Sequence, residues 1–244
     1  MNRILFESDE IQDGIARFGG ERAAHILTVL HGEVGQVLKT GEVNGLIGTS
    51  EILSIEREGH FQISVRCEHN QKSLTPWVDL ILAPPRPRVM KRLLPQLATL
   101  GVGRIFLVGA KKVEKDFWGA TLLKEENYRP LFVDGLMQAG TSILPILETR
   151  RNFRKFVKEE LDELFPQTTR IVAHPYGVEE REKKALKAGG LLLAIGPEGG
   201  WTDEEVELLE AHHFLRTSLG SRILRTDTAT IALLAQLMKE FDRC

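Results

Sequence analysis

Cysteine is scarce in this 244-residue chain: Cys67 and Cys244 are the only two, far apart and outside any CxxC or Cys/His ligand spacing. That argues against a disulfide framework or a zinc knuckle and fits a reducing compartment. An excess of charge of either sign is missing as well. Lys and Arg number 32 against 34 Asp and Glu, so no strong overall field draws the protein to nucleic acid or anionic lipid. No apolar run approaches the ~20 residues of a membrane helix, and the opening MNRILFESDE has no h-region; the expectation is a soluble, cytoplasmic, unprocessed protein. Familiar catalytic signatures are absent too. There is no GxGxxG after a strand, since Gly101-Val102-Gly103 precedes one, and no GxxxxGK[ST], GxSxG elbow, HExxH or EF-hand loop. A Rossmann dehydrogenase, a P-loop enzyme and a zincin are thereby disfavoured, and no metal is called for.

What is present falls into two rhythms. From Met1 to about Lys72 glycines are frequent and apolar runs short, as in VGQVLKTGEVNGLIGTSEILSI and HFQISVRCE. Such segments read as strands joined by tight turns, with Asn44-Gly45 a strong hairpin signal and one helical piece from Glu21 to Leu30. The expectation is a small β domain over 1–72, a barrel or curled sheet. Its seven Lys/Arg against eleven Asp/Glu make it net acidic. That is awkward for a lone RNA-binding module, because most non-specific affinity comes from neutralising phosphates.

Beyond Ser73-Leu74-Thr75-Pro76 the pattern changes. WVDLILAP, GRIFLVGA, PILETR, TRIVAHP, LLLAIG and FLRTSLG read as strands. Between and after them RVMKRLLPQLATLG, a stretch through 134–137, FRKFVKEELDELF, VELLEAHH and ATIALLAQLMKEF read as helices. Short apolar strands alternating with helices predict an α/β domain over 73–244, with a parallel sheet covered on both faces. Pro95 predicts a kink or break, since proline costs about 3 kcal/mol in a regular helix interior. The closing helix is apolar nearly all round (Ala229, Ile231, Leu233, Leu234, Leu237, Met238, Phe241), which demands burial on more than one side, in a dimer interface or a monomer core.

Two strand-to-helix junctions stand out. In LLLAIGPEGGWTDEEV, Gly196, Gly199 and Gly200 permit unusual backbone angles and leave no side chains to block a ligand approaching the main chain. Thr202 and Glu205 form a capping box, with Asp203 and Glu204 adding first-turn charge. Ligands of open parallel sheets sit at such places, beyond the carboxyl ends of strands, though a turn and cap without a ligand has the same local signature. The next junction, Ser218-Leu219-Gly220-Ser221-Arg222-Ile223-Leu224-Arg225-Thr226-Asp227-Thr228-Ala229, repeats the plan. Asp227 or Thr228 can cap the last helix. Arg222 and Arg225 have no comparable structural duty and are available to a phosphate or a developing anion. A third junction, Val172-Ala173-His174-Pro175-Tyr176-Gly177, is weaker, because a lone His beside a Pro is more often packed than catalytic.

IGPEGGWTDEEV followed by LGSRILRTDTA resembles, in order and spacing, the two signature segments of the 16S ribosomal RNA (uracil-N3)-methyltransferase family, a branch of the SPOUT methyltransferases. His25-Ile26-Leu27-Thr28-Val29-Leu30 looks like the HI..VL segment of that family's N-terminal PUA-like β domain. Leu100-Gly101-Val102 looks like its LGV before a strand, Gln138 and Pro145 like a Q…P segment, and Ala173-His174-Pro175 like a loop lining the cofactor. The resemblance implies a C-terminal trefoil-knotted α/β domain behind a PUA-like β-barrel, and a homodimer. It also implies S-adenosylmethionine as cofactor and methylation of N3 of a uridine in small-subunit ribosomal RNA.

On the same resemblance the cofactor pocket draws on His174, Ile195, Gly196, Glu198, Gly199, Gly200, Leu219, Gly220, Ile223, Leu224 and Thr228. Uracil N3 must lose its proton as negative charge builds on the ring, which a guanidinium stabilises without being a base. Arg225 takes that role, with Arg222 holding substrate phosphate or the loop. Glu198 and Asp227 are candidate proton acceptors beside their turn and cap readings, with water or hydroxide as the alternative. The target base must be unpaired or flipped, because N3 lies on the Watson–Crick edge. Arg86, Arg88, Lys91, Arg92, Lys111, Lys112 and Lys115 are candidates for the phosphate backbone or an ordinary solvated face.

The chain departs from the family where polar residues are usual: Thr28, His31, Gln96, Thr99, Met137 and Thr141 stand at such places. These departures bear on RNA contacts more than on the cofactor. Two rivals follow, a SPOUT enzyme methylating the ribose 2′-oxygen and a non-catalytic RNA-binding or assembly protein that keeps the fold.

Overall fold

The computed structural model describes residues 2–56, 61–176 and 189–241; Gly177 and Cys244, both considered above, lie outside them. The chain forms two compact units, one of residues 1–75 with 133–144 and one of 76–132 with 145–244.

The first unit holds a six-stranded sheet. Its strands are β1 (Ile4–Phe6), β2 (Ile11–Gln12), β3 (Ile15–Gly19), β4 (Val37–Glu42), β5 (Ile47–Glu56) and β6 (Gln62–Gln71), in the order β1-β4-β5-β6-β3-β2. Alternating residues put Phe6, Phe18, Leu38, Ile52, Ile63 and Val65 into one core, closed by Ile26 of helix α1 (Gly20–Thr28). The Asn44-Gly45 signal is realised. Asn44 adopts φ 59°, and the Gly45 amide donates to the Glu42 carbonyl at 2.9 Å between β4 and β5. The 133–144 segment is tied in by the Arg3 guanidinium on the Gly140 carbonyl (2.9 Å) and the Ser142 hydroxyl on the Gly45 carbonyl (2.7 Å).

The second unit is the α/β half expected from the alternation of strands and helices. Strands β7 (Val78–Leu82), β8 (Val102–Val108), β9 (Ile146–Arg150), β10 (Thr169–Ala173), β11 (Leu191–Ile195) and β12 (Leu215–Thr217) are all parallel, in the order β12-β10-β11-β7-β8-β9. Every residue of β11 is buried, as a strand covered on both faces must be. Helices α2 (Pro87–Thr99), α4 (153–164), α5 (Asp203–Ala211) and α6 (Thr226–Glu240) accompany the strands, while α3 (Glu125–Ala139) begins in this unit and ends in the 133–144 segment of the first. Phe106, Phe156, Val157, Val172, Leu192 and Val206 meet in its core.

Three local expectations change. Helix α2 runs unbroken through Pro95. Proline removes only the amide that would reach the Lys91 carbonyl, on the solvent side of the helix, while Leu93, Leu94, Leu97 and Ala98 anchor the other face. Helix α4 is not uniform, since 156–160 is wound as a π-turn that leaves Phe153, Phe156, Val157 and Leu161 all buried. Neither Asp227 nor Thr228 caps α6. The helix begins two or three residues early, at Thr226, so its N-cap position falls on Arg225, and the Asp227 carboxylate accepts the Thr228 amide at 2.9 Å from within the first turn.

Candidate functional site

Strand pairing decides which loops meet. Strand β10 lies between β11 and β12, with Ala173 opposite Thr217 and Val172 opposite Ala194, so the loops that follow these three parallel strands emerge together at one sheet edge. They enclose a cavity of about 520 Å³, a size typical of small-molecule sites. The first loop supplies His174 to Tyr176, the second the 196–201 turn, and the third Ser218 to Leu224, with Thr226, Ala229 and Leu233 of α6 completing the wall.

The glycine turn is held from several sides. Gly200 has φ 70°, and its amide donates to the Pro197 carbonyl at 2.8 Å. The buried Thr226 hydroxyl donates to the Gly196 carbonyl at 3.3 Å, fastening the start of α6 to the turn. Trp201, 5 % exposed, stacks at 5.1 Å on Phe153, and Gly196 lies so close to it that a Cβ there would come within 3.0 Å of the Trp201 backbone nitrogen. A methyl group there would have to push Trp201 back by a few tenths of an ångström. Downstream, the Glu205 half of the capping box forms: its carboxylate accepts the Thr202 amide at 2.9 Å and, through its other oxygen, the Lys111 amide at 2.8 Å, while the buried Thr202 hydroxyl has no hydrogen-bond partner among the described residues.

The side chains around the cavity are mostly neutral. The His174 backbone amide donates to the Thr217 carbonyl (2.9 Å), and its ring Nδ1 lies 2.8 Å from the Tyr176 carbonyl. The Tyr176 amide nitrogen lies 3.3 Å from the same Nδ1, so both backbone polar groups of Tyr176 converge on that ring nitrogen. The Lys112 ammonium donates to the Gly199 carbonyl at 2.8 Å rather than standing free. Arg86 lies 3.0 Å from Glu114 and 3.8 Å from Glu198. Arg92 lies 3.7 Å from Asp227.

An RNA methyltransferase domain family matches residues 71–238, more than half of the chain. The chain belongs to this family. Among curated relatives, the Ribosomal RNA small subunit methyltransferase E of Treponema pallidum is 31 % identical over 242 residues, covering 98 % of this chain and 91 % of that protein. The protein named Ribosomal RNA small subunit methyltransferase E 1 of Borreliella burgdorferi is 25 % identical over 240 residues, 95 % of each chain. Of solved structures, a Legionella pneumophila protein described with the cofactor SAM bound superposes with a TM-score of 0.74 at 24 % identity, covering 98 % of this chain and 97 % of that one. A Neisseria gonorrhoeae Ribosomal RNA small subunit methyltransferase E bound to S-adenosyl methionine gives 0.72 at 19 % identity, with the same coverage. At these identities the superpositions establish a shared α/β fold.

Of the site residues anticipated from the sequence, His174, Ile195, Gly196, Glu198, Gly199, Gly200, Leu219, Gly220, Arg222, Ile223 and Leu224 line the one cavity. Thr228 and Arg225 are exposed and do not line it. Neither Arg222 nor Arg225 makes an ion pair among the described residues. Sequence reasoning missed Thr217, Trp201, Thr226 and Leu233 as lining residues. Thr226 had a signal, a hydroxyl inside the second motif, whereas Leu233 enters only because α6 packs beside β11. Among the described residues no group of three or more His, Cys, Asp or Glu is placed to hold a metal, and no helix is long and apolar enough to cross a membrane.

Proposed function

We propose that this chain is an S-adenosylmethionine-dependent methyltransferase that methylates N3 of a uridine in small-subunit ribosomal RNA. The observation that carries the reading is the joint lining of one cavity by both glycine-containing junctions, in a chain related end to end to a Ribosomal RNA small subunit methyltransferase E. The residues present suit the cofactor. Gly196, Gly199 and Gly200 put main chain without side chains in the cavity wall, where an adenosine can approach it, and Ile195, Leu219, Leu224 and Leu233 offer apolar surface to its ring. When bound, S-adenosylmethionine supplies an electrophilic methyl on a sulfonium.

The chain's part is orientation and charge. Holding the acceptor nitrogen in line with the methyl supplies much of the acceleration. The exposed Arg225 guanidinium, at the start of α6 and outside the cavity wall, faces substrate and stabilises the charge that builds on the ring as N3 loses its proton. Arg222, in the wall, holds substrate phosphate or the loop, and Glu198 accepts the proton. Finer assignments go with the same reading: a trefoil knot in the parallel-sheet unit, a PUA-like barrel in the other, a homodimer, and action in the cytoplasm.

The test is a nucleoside digest of small-subunit RNA from cells lacking the gene. Loss of 3-methyluridine, restored by the gene, is expected; loss of a ribose methyl, or no change, overturns the assignment. Calorimetric titration separates enzyme from non-catalytic protein, since no heat at millimolar S-adenosylmethionine would remove the cofactor and with it the reaction.

A further inference from the structure

Because all six strands of the second unit are parallel, the loops that follow them leave the sheet at one edge. The strand order divides that edge in two. Loops after β12, β10 and β11 build the cavity, and those after β7, β8 and β9 continue the edge beyond it. This second half is basic. Residues 84–92, 109–119 and 151–155 together carry ten Lys and Arg against two Asp and Glu, in a chain whose net charge is −2. Four of the ten cations follow β7, three follow β8 and three follow β9, and all ten are exposed. Arg86 and Arg154 are met by Glu114 and Glu204, whereas Arg88, Lys91, Lys111 and Lys115 form no ion pair among the described residues. At one end the row joins the cavity, where Lys112 stands in the wall with its ammonium on the Gly199 carbonyl. At the other, the Arg151 guanidinium lies 5.6 Å from the ring centre of the half-buried Trp118.

We propose that these three loops grip the phosphate backbone of the substrate RNA beside the target nucleotide, and that the β domain adds little to RNA affinity; the proposal rests on the cavity being the site of methyl transfer. Adjacent strands lie about 4.8 Å apart, so the row from β11 to β9 extends roughly 14 Å. One small anion cannot satisfy such a run, but a polymer with a charge on every residue can. Binding it releases counterions, and exposed cations give up little hydration in exchange. Screening beyond about 8 Å at physiological salt keeps the charge local, which is how a chain of net −2 presents it. The β domain, with seven Lys/Arg against eleven Asp/Glu over residues 1–72, repels the same polymer. Lysine and arginine contacts to phosphates set register and carry no sequence. Choice of base therefore stays with the cavity. An anionic lipid surface is the poorer match, because none of the exposed large apolar side chains among the described residues falls in these loops to insert into it.

The test compares two triple variants of the full-length protein that remove equal charge. Arg88→Gln/Lys111→Gln/Lys115→Gln acts in the basic loops, and Arg17→Gln/Lys39→Gln/Lys72→Gln takes three exposed cations from the β domain. Binding to transcribed small-subunit ribosomal RNA is followed by filter retention from about 50 to 200 mM salt. The first variant should bind about tenfold or more weakly and lower the slope of log affinity against log salt by about 2–3. The second should stay within about twofold of wild type. In methyl transfer the first should raise KM for RNA and hold kcat within about twofold, since a phosphate contact serves ground and transition states alike. Equal losses in both variants, a loss confined to the second, or wild-type affinity and slope in the first overturns the proposal, as does wild-type protein that binds phosphatidylglycerol vesicles but not the RNA. S-adenosylmethionine affinity should be the same in all three proteins. If none of them binds the cofactor while the first variant alone loses RNA, the cofactor reading falls and the basic row stands.

Discussion

Two glycines three residues apart in the same turn differ in what they tolerate. A Cβ on Gly196 meets the backbone and indole of Trp201, which is packed against Phe153 and would have to be pushed back. Gly196→Ala should cost about 1–3 kcal/mol of stability, read by urea denaturation, and weaken S-adenosylmethionine binding about tenfold or more by the same displacement. Gly199→Ala meets only the methylenes of Lys112, which can swing aside, and should stay within about 0.5 kcal/mol of wild type. Equal effects would mean that the turn does not rest on Trp201. Arg225→Ala addresses chemistry instead. Methyl transfer should fall by about tenfold or more while cofactor affinity changes less than about twofold; equal losses in calorimetry and kinetics would contradict its role. The turn glycines were legible because few other residues fit tight backbone. The tryptophan beneath them was not, since its burial depends on Phe153 across the fold.

Helix α5 starts where it does because Glu205, 5 % exposed, serves two amides, one at its own N-terminus and one on the loop after β8. Glu205→Ala leaves the Lys111 amide without its acceptor and should cost about 1–3 kcal/mol; a change within about 0.5 kcal/mol in the urea midpoint would show that water replaces the carboxylate. At the end of α4, burial works against the Asp162 charge, yet hydrogen bonds from Arg170 and His212 outweigh it and hold the carboxyl below its usual range. A depressed folded-state value means the contribution is complete above the unfolded carboxyl's titration, near pH 4, and disappears as pH drops through the folded value. Asp162→Asn should therefore be less stable than wild type at pH 7, by about 1 kcal/mol or less because the carboxylate is largely solvated. The difference should shrink below about pH 4; a gap that is constant with pH would assign it to packing. The capping box could be read from T-x-x-E spacing. The reach of Glu205 to residue 111 could not, because it crosses 94 positions of sequence.

At the scale of the molecule, the alternating pattern announced a parallel sheet but not its strand order, and the order makes the site. Nothing in the local sequence of LLLAIG says that β11 lies between β10 and β7, so the cavity was legible as a pair of motifs, while the meeting of their loops was not. Helix α6 buries Thr230, Leu233, Leu234 and Leu237 within its unit and leaves Ile231 37 % exposed, in line with Ile223 and Leu224 also being exposed. If these side chains meet a second copy, Ile231→Asp should convert a dimer to a monomer in sedimentation velocity with the helical circular dichroism signal unchanged; a wild-type monomer would dispose of the dimer.

The peptide from Pro197 to Gly199 borders the cavity, and the Lys112 ammonium grips its last carbonyl. A guest settling in that cavity therefore presses on the same few atoms that the lysine already holds. By thermodynamic reciprocity, whatever the guest does to the grip of Lys112 on this peptide is returned to the guest in equal measure.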